Sequence, residues 1–166
     1  YRIVRKLGEG GMGVVYEGEN ITIRRRLAIK ALHPQYAAMT EVVARFYREA
    51  QAATQINHEH IIEVLDMGRF PDGALFQVLE FPDGKDFAHE IKRGGRQSIG
   101  RVVRIVSQIC EALEAAHAKG IVHRDIKPEN VFLIKRGDNP DFVKVLDFGI
   151  SKFIDGADRP ADGGST

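Results

Sequence analysis

The chain has 166 residues, 43% hydrophobic and 28% charged, with 24 Lys and Arg against 23 Asp and Glu. That is the profile of one globular domain with a sizeable core, and a net charge of +1 lacks the basic excess of a nucleic-acid binder. The single cysteine, Cys110, excludes an internal disulfide, and no apolar run reaches the length of a membrane span, so a reducing, cytoplasmic setting is expected.

The first elements read as strands. Tyr1 to Leu7 carries apolar residues at 1, 3 and 7, and Val14-Val15-Tyr16 and Leu27 to Leu32 are apolar runs separated by a polar turn from Asn20 to Arg26. Residue 1 already lies inside a strand, with no signal peptide, and reads as a domain edge. Arg24-Arg25-Arg26 reads as a solvated hairpin edge. Glu41 to Ile56 follows as a helix, with apolar or small residues at 42, 46, 50, 53 and 56. Ile61 to Met67 and Leu75 to Phe81 form another strand pair around Pro71-Asp72-Gly73.

A second helix is expected from an N-cap at Ser98 to a stop at Gly120. Its apolar positions, 102, 103, 105, 106, 109, 110, 113 and 116, cover about half the circumference, which calls for packing partners on two sides. Cys110 lies among them and reads as an inert core thiol. Ile121-Val122, Val131 to Ile134 and Phe142 to Leu146 read as short strands, and the tail after Asp155 as a loose loop.

Chemistry concentrates at four places. Gly8, Gly10 and Gly13 form G-x-G-x-x-G, and because Val14-Val15-Tyr16 continues as strand, the motif reads as a hairpin flap able to approach phosphates rather than the start of a helix. Lys30 ends the strand "LAIK", and Glu49, a carboxylate beside the apolar helix face, needs a partner that Lys30 can supply. "HRDIKPEN", His123 to Asn130, crowds Asp125, Lys127 and Asn130 into a loop between apolar segments. Asp147-Phe148-Gly149 closes an apolar strand with a carboxylate, and with the Asn130 amide oxygen it makes a donor set suited to a hard cation. His58 and His60 form H-x-H without a third ligand in sight, so no metal site is expected there.

In order, G-x-G-x-x-G-x-V, A-x-K, a helix Glu, H-R-D-x-x-x-x-N and D-F-G resemble the signature of eukaryotic-type serine/threonine protein kinases, with phrasing closest to bacterial members. The resemblance implies an α+β, two-lobe fold. An N-lobe antiparallel sheet with one helix spans 1–79, a hinge 80–86, and the first part of a helical C-lobe 87–166. It implies ATP and Mg²⁺ as cofactors and Ser/Thr hydroxyls of proteins as acceptors. Leu7, Gly8, Gly10 and Gly13 are implied to cover the nucleotide, and Val15, Ala28 and Leu133 to sandwich its adenine. Leu79 would guard the back of the pocket, the Glu80 carbonyl would accept from adenine, and Asp86 would stand near the ribose. Lys30, oriented by Glu49, would hold the α- and β-phosphates. Asp125 would take the hydroxyl proton, Lys127 would steady the γ-phosphate, and Asn130 and Asp147 would bind Mg²⁺. Arg124 matches an arginine that often receives an activation-loop phosphate, and His123 is implied to pack against Phe148.

One departure stands out: where the family donates a backbone N–H to adenine, this chain has Pro82. No A-P-E follows the D-F-G, so the chain reads as a catalytic-domain fragment ending within the activation loop, with Ser165 and Thr166 as phosphorylation candidates and an apolar helix face left open. Activation by dimerisation of a longer parent is also implied. Two other readings remain: a nucleotide-binding or scaffolding module without catalysis, and a small-molecule kinase of the aminoglycoside phosphotransferase type.

Overall fold

The computed structural model describes residues 1–148. Gly149, Ser165, Thr166 and the expected loop tail lie outside that range. Five strands, β1 (Arg2–Glu9), β2 (Gly13–Asn20), β3 (Arg25–Leu32), β4 (Val64–Arg69) and β5 (Leu75–Glu80), form an antiparallel sheet ordered β1-β2-β3-β5-β4. β3 is central and buried on both faces. Its Leu27 and Ile29 pack with Val78, while Ala28 on the opposite face packs with Ile62 and Leu79, which is why this strand reads as a continuous apolar run. At the hairpin before it, Arg26 is not merely solvated: it lies 3.7 Å over the Phe81 ring and bonds Glu17 at 2.6 Å.

The helix α1 (Thr40–Ile56) lies between β3 and β4 in sequence and buries Phe46, Ala50, Ala53 and Ile56. The expected stripe is thus the packed one, with Val42 half-buried at its start. Asn57 ends α1 in the left-handed region, donating its N–H to Ala53 O at 3.2 Å.

A second sheet, β6 (Gly84–Asp86), β7 (Val131–Arg136) and β8 (Asn139–Val145), is ordered β6-β7-β8. Two helices precede β7, α2 (Phe87–Gly94) and α3 (Ile99–His117). Ser98 caps α3, its hydroxyl accepting from Arg101 N at 3.3 Å, and Gly120 turns the chain afterwards at φ +71°. α3 is fastened to β8 by Ile105, Ala112 and Ala116 against Val143 and Val145. Gln108 adds two bonds, donating to Asp141 O (2.9 Å) and accepting from Val143 N (3.1 Å). The segment after α1 joins the two sheets: Ile62 N donates to Val145 O (3.0 Å) and Val145 N to His60 O (2.7 Å).

Three expectations need correction. Cys110 is exposed, because the docked face of α3 runs through Ile105, Ala112 and Ala116, and position 110 falls about 140° from Ile105. The apolar arc is therefore split, and Val103 and Val106 on its other half are 57% and 46% exposed. Among the described residues Ile121-Val122 forms no strand, and Val122 is half exposed. The strand β6 and helix α2 were not foreseen. β6 is three residues long and depends on Gly84, where a Cβ would sit 2.0 Å from Leu133 O.

Candidate active site

The hairpin of β1 and β2 forms the roof. The bend between them is closed by Gly10 N donating to Gly13 O at 2.9 Å. Gly13 is required by contact, since a Cβ there would meet Ala31 O at 2.2 Å, whereas Gly8 and Gly10 face open space. Met12 folds under the bend against the cluster of Leu32, Phe46 and Leu75. Leu7, on β1, is 41% exposed.

Beneath this roof Lys30 stands between two carboxylates. Its Nζ lies 3.5 Å from Glu49 Oε2 and 2.7 Å from Asp147 Oδ1. Burial pulls the Lys30 ammonium down, but Asp147 and Glu49 more than offset it, so Lys30 is held above its ordinary value and stays charged. Burial pushes the Glu49 carboxyl up, Asp147 adds to that, and Lys30 opposes it only in part. The partner expected for Glu49 is the one it has. A cleft of about 700 Å³ opens here, lined by the glycine bend, Val15, Lys30, Glu49, Lys127 and Asp147.

The loop before β7 supplies the floor. Asn130 is buried, and its Nδ2 donates to Asp125 O (2.9 Å) and Asp125 Oδ2 (3.2 Å). Lys127 Nζ sits 2.8 Å from the same Oδ2, and this carboxylate raises the lysine. Leu146 N donates to Asn130 O at 2.9 Å, which fixes Asp147 beside Asn130. Lys30, Glu49, Lys127 and Asp147 thus line one cleft, and Asp125 and Asn130 adjoin it through the Lys127–Asp125 pair and the Asn130–Asp125 bonds.

His123 supports this arrangement from below. It is 1% exposed, its Nε2 bonds Leu146 O at 2.9 Å, and its ring centroid is 4.7 Å from that of Phe148. Burial holds its pKa below the ordinary histidine value, against opposing pulls from the Leu146 carbonyl, Asp125 and Asp147. A histidine kept neutral in the fold gives stability that is complete above its unfolded pKa of about 6.5 and is lost as pH falls toward the depressed folded value. Urea midpoints are therefore expected to drop below about pH 6.5, and less steeply in His123→Gln. Parallel pH profiles for the two proteins would refute the assignment.

Other expected positions are distributed differently. Val15 and Ala28 share one apolar cluster with Leu79, but Leu133 belongs to the core of the second sheet with Val131 and Val143. Asp86 caps α2, its Oδ1 accepting from His89 N at 2.7 Å. The Glu80 side chain is tied down, its Oε1 accepting from Lys144 Nζ (2.5 Å) and Glu63 N (2.9 Å). Pro82 O accepts from Gly84 N at 2.8 Å. His60 bonds Val143 O at 2.9 Å, and among the described residues no cluster of three or more His, Cys, Asp or Glu forms a metal cage. Two supporting residues were missed, Lys144 and Gln77. Their only signal was a lone polar residue inside an apolar strand, "FVKVL" and "LFQVLE".

A glycine flap over a lysine–carboxylate pair, with the H-R-D-x-x-x-x-N loop and the D-F-G aspartate on the other side, frames a cleft between a sheet-rich and a helix-rich half. The protein kinase domain family matches residues 1–163, and the chain belongs to that family. It is similar to the serine/threonine-protein kinases Pkn1 and pkn3 of Myxococcus xanthus. Identity is 48% over 93% of this chain for Pkn1 and 46% over 95% for pkn3. It spans 22% and 29% of those relatives' lengths. Among solved structures it resembles the kinase domain of Mycobacterium tuberculosis PknI, with TM-score 0.73 and 35% identity over 90% of this chain and 59% of that one. The α+β kinase fold, with an antiparallel N-lobe sheet and a helix, is therefore the fold of this chain. Among the described residues, no helix is long and apolar enough to cross a membrane.

Proposed function

We propose that this chain carries the machinery for transfer of the ATP γ-phosphoryl group to Ser or Thr hydroxyls of proteins. The observation that carries the reading is Lys30 held between Glu49 and Asp147, across one cleft from the Asp125–Lys127–Asn130 loop. Glu49 fixes the Lys30 ammonium, which is placed to hold the α- and β-phosphates beneath the glycine flap. Asp125 accepts the proton of the attacking hydroxyl. The bond from the γ-phosphorus to the bridging β-oxygen breaks as that to the hydroxyl oxygen forms, leaving ADP. Lys127 offsets charge on the transferred group.

Mg²⁺ fits the donor set. Asp147 offers a carboxylate, and Asn130, whose nitrogen is spent on Asp125, offers its amide oxygen. The ion would neutralise phosphate charge there. Val15 and Ala28 form the upper apolar wall for adenine and Leu133 the lower, with the Glu80 carbonyl accepting from its amino group; Leu7 and Asp86 edge the nucleotide. The parent protein is read as cytoplasmic or bound to the cytoplasmic membrane face, not a nucleic-acid binder, and activated through dimerisation.

Transfer of radiolabelled γ-phosphate to a basic test protein, beside Asp125→Asn, tests the reading. Label incorporated by the native chain and absent with the variant supports it; Mg-ATP binding without transfer favours a nucleotide-binding module. The hinge adds a separate expectation. Pro82 gives adenine no N–H, and its carbonyl accepts from Gly84 N. Pro82→Val should tighten nucleotide binding by about 0.5–1.5 kcal/mol, one hydrogen bond. Unchanged or weaker binding by calorimetry would count against it.

A further inference from the structure

Gln77 is a polar side chain in an otherwise apolar stretch of β5, and it is 3% exposed. A buried amide is costly unless hydrogen-bonded. Its Nε2 donates to Phe46 O in the middle of α1 at 2.7 Å. A helix carbonyl already accepting from the fourth residue on keeps a second lone pair, so this bond adds to the helix ladder without breaking it. Gln77 is also the cross-strand partner of Lys30 in the β3–β5 register. Phe46 and Glu49 are three residues apart and share a face of α1. Two adjacent strand positions, Lys30 and Gln77, thus grip one face of the helix one turn apart.

The two grips differ. The Lys30–Glu49 contact is 3.5 Å, while Lys30 is closer to Asp147, at 2.7 Å. Lys30 can therefore remain paired if Glu49 withdraws. The Gln77 bond depends on neither charge. It is short, buried and directed at backbone, so it anchors α1 to the sheet at Phe46, one turn from Glu49.

We propose that Gln77 is a positioning residue that holds α1 where Glu49 meets Lys30, and so sets the fraction of molecules with an assembled lysine. This rests on the phosphoryl-transfer reading for its kinetic consequence, but not for its structural one.

The experiment uses the full-length parent protein with Gln77→Met, which keeps length and removes the donor, in the native and Glu49→Gln backgrounds. In the native background kcat is expected to fall about tenfold, the size of one lost hydrogen bond, with KM for ATP changed less than about twofold. In Glu49→Gln the same substitution should cause little further loss, because both act through Lys30. Hydrogen exchange of the α1 amides should quicken in Gln77→Met without nucleotide. Equal losses in both backgrounds would mean a merely structural residue and overturn the proposal, as would unchanged kcat with unchanged exchange. If the native protein transfers no phosphate, the phosphoryl-transfer reading fails, and the exchange measurement alone decides whether Gln77 holds the helix.

Discussion

Asp125→Asn is expected to lower phosphoryl transfer by about 100- to 10,000-fold, the range for loss of a positioned base. Binding of Mg-ATP should stay nearly unchanged. The reason lies in how the loop is held. Asn130 grips Asp125 through its backbone carbonyl at 2.9 Å as well as through its carboxylate, so the loop retains its shape when the carboxylate becomes an amide. The variant loses the proposed proton acceptor and the pairing with Lys127, whose Nζ is 2.8 Å from Asp125 Oδ2. Initial rates with labelled ATP, beside calorimetric affinities, make the measurement. A rate within about threefold of native would remove Asp125 from the role of base.

The second large effect is on stability. Arg101 reaches from the first turn of α3 to Asp141 on β8, with Nε 3.0 Å from Asp141 Oδ2 and Nη2 2.7 Å from Oδ1. The Asp141 side chain is only 7% exposed. Arg101→Met keeps the apolar stem and leaves that carboxylate without its forked donor. Breaking one side of such a pair costs more than the pair contributes, because the remaining charge stays buried. Since Arg101 is itself partly exposed, a loss of about 2–3 kcal/mol is expected rather than the larger figure for a fully buried pair. Urea unfolding should show a lower midpoint at unchanged slope. A loss below about 0.5 kcal/mol would class the contact with surface ion pairs.

The chemistry of this chain is written locally, which is why much of it was legible. Each motif carries its own turn or loop, and order along the chain brought Lys30 and Asp147, 117 positions apart, into one expectation. The stripe of α1 and the Ser98 cap follow from rules acting within a few residues. What escaped depends on distant partners. Gly84 makes a strand only because Leu133 O lies against it, and Asp86 reads equally as a ribose contact or as the cap of α2. Cys110 belongs to an apolar arc whose sequence does not say which half meets β8. Gln77 and Lys144 are unremarkable until α1 and the Glu80 side chain are placed opposite them.

Asp147 and Arg124 both sit in the left-handed backbone region, at φ 49° and 64°. For a residue with a side chain this conformation costs about 1–2 kcal/mol, less for aspartate, whose short side chain tolerates it better than arginine's. A programme that ranked substitutions by melting temperature alone would favour glycine or asparagine at these two positions. At Asp147 that choice would erase the carboxylate facing Lys30. Thermostabilisation of this scaffold should therefore leave both positions untouched and look elsewhere, since here a better-folded protein and a working one are different optima.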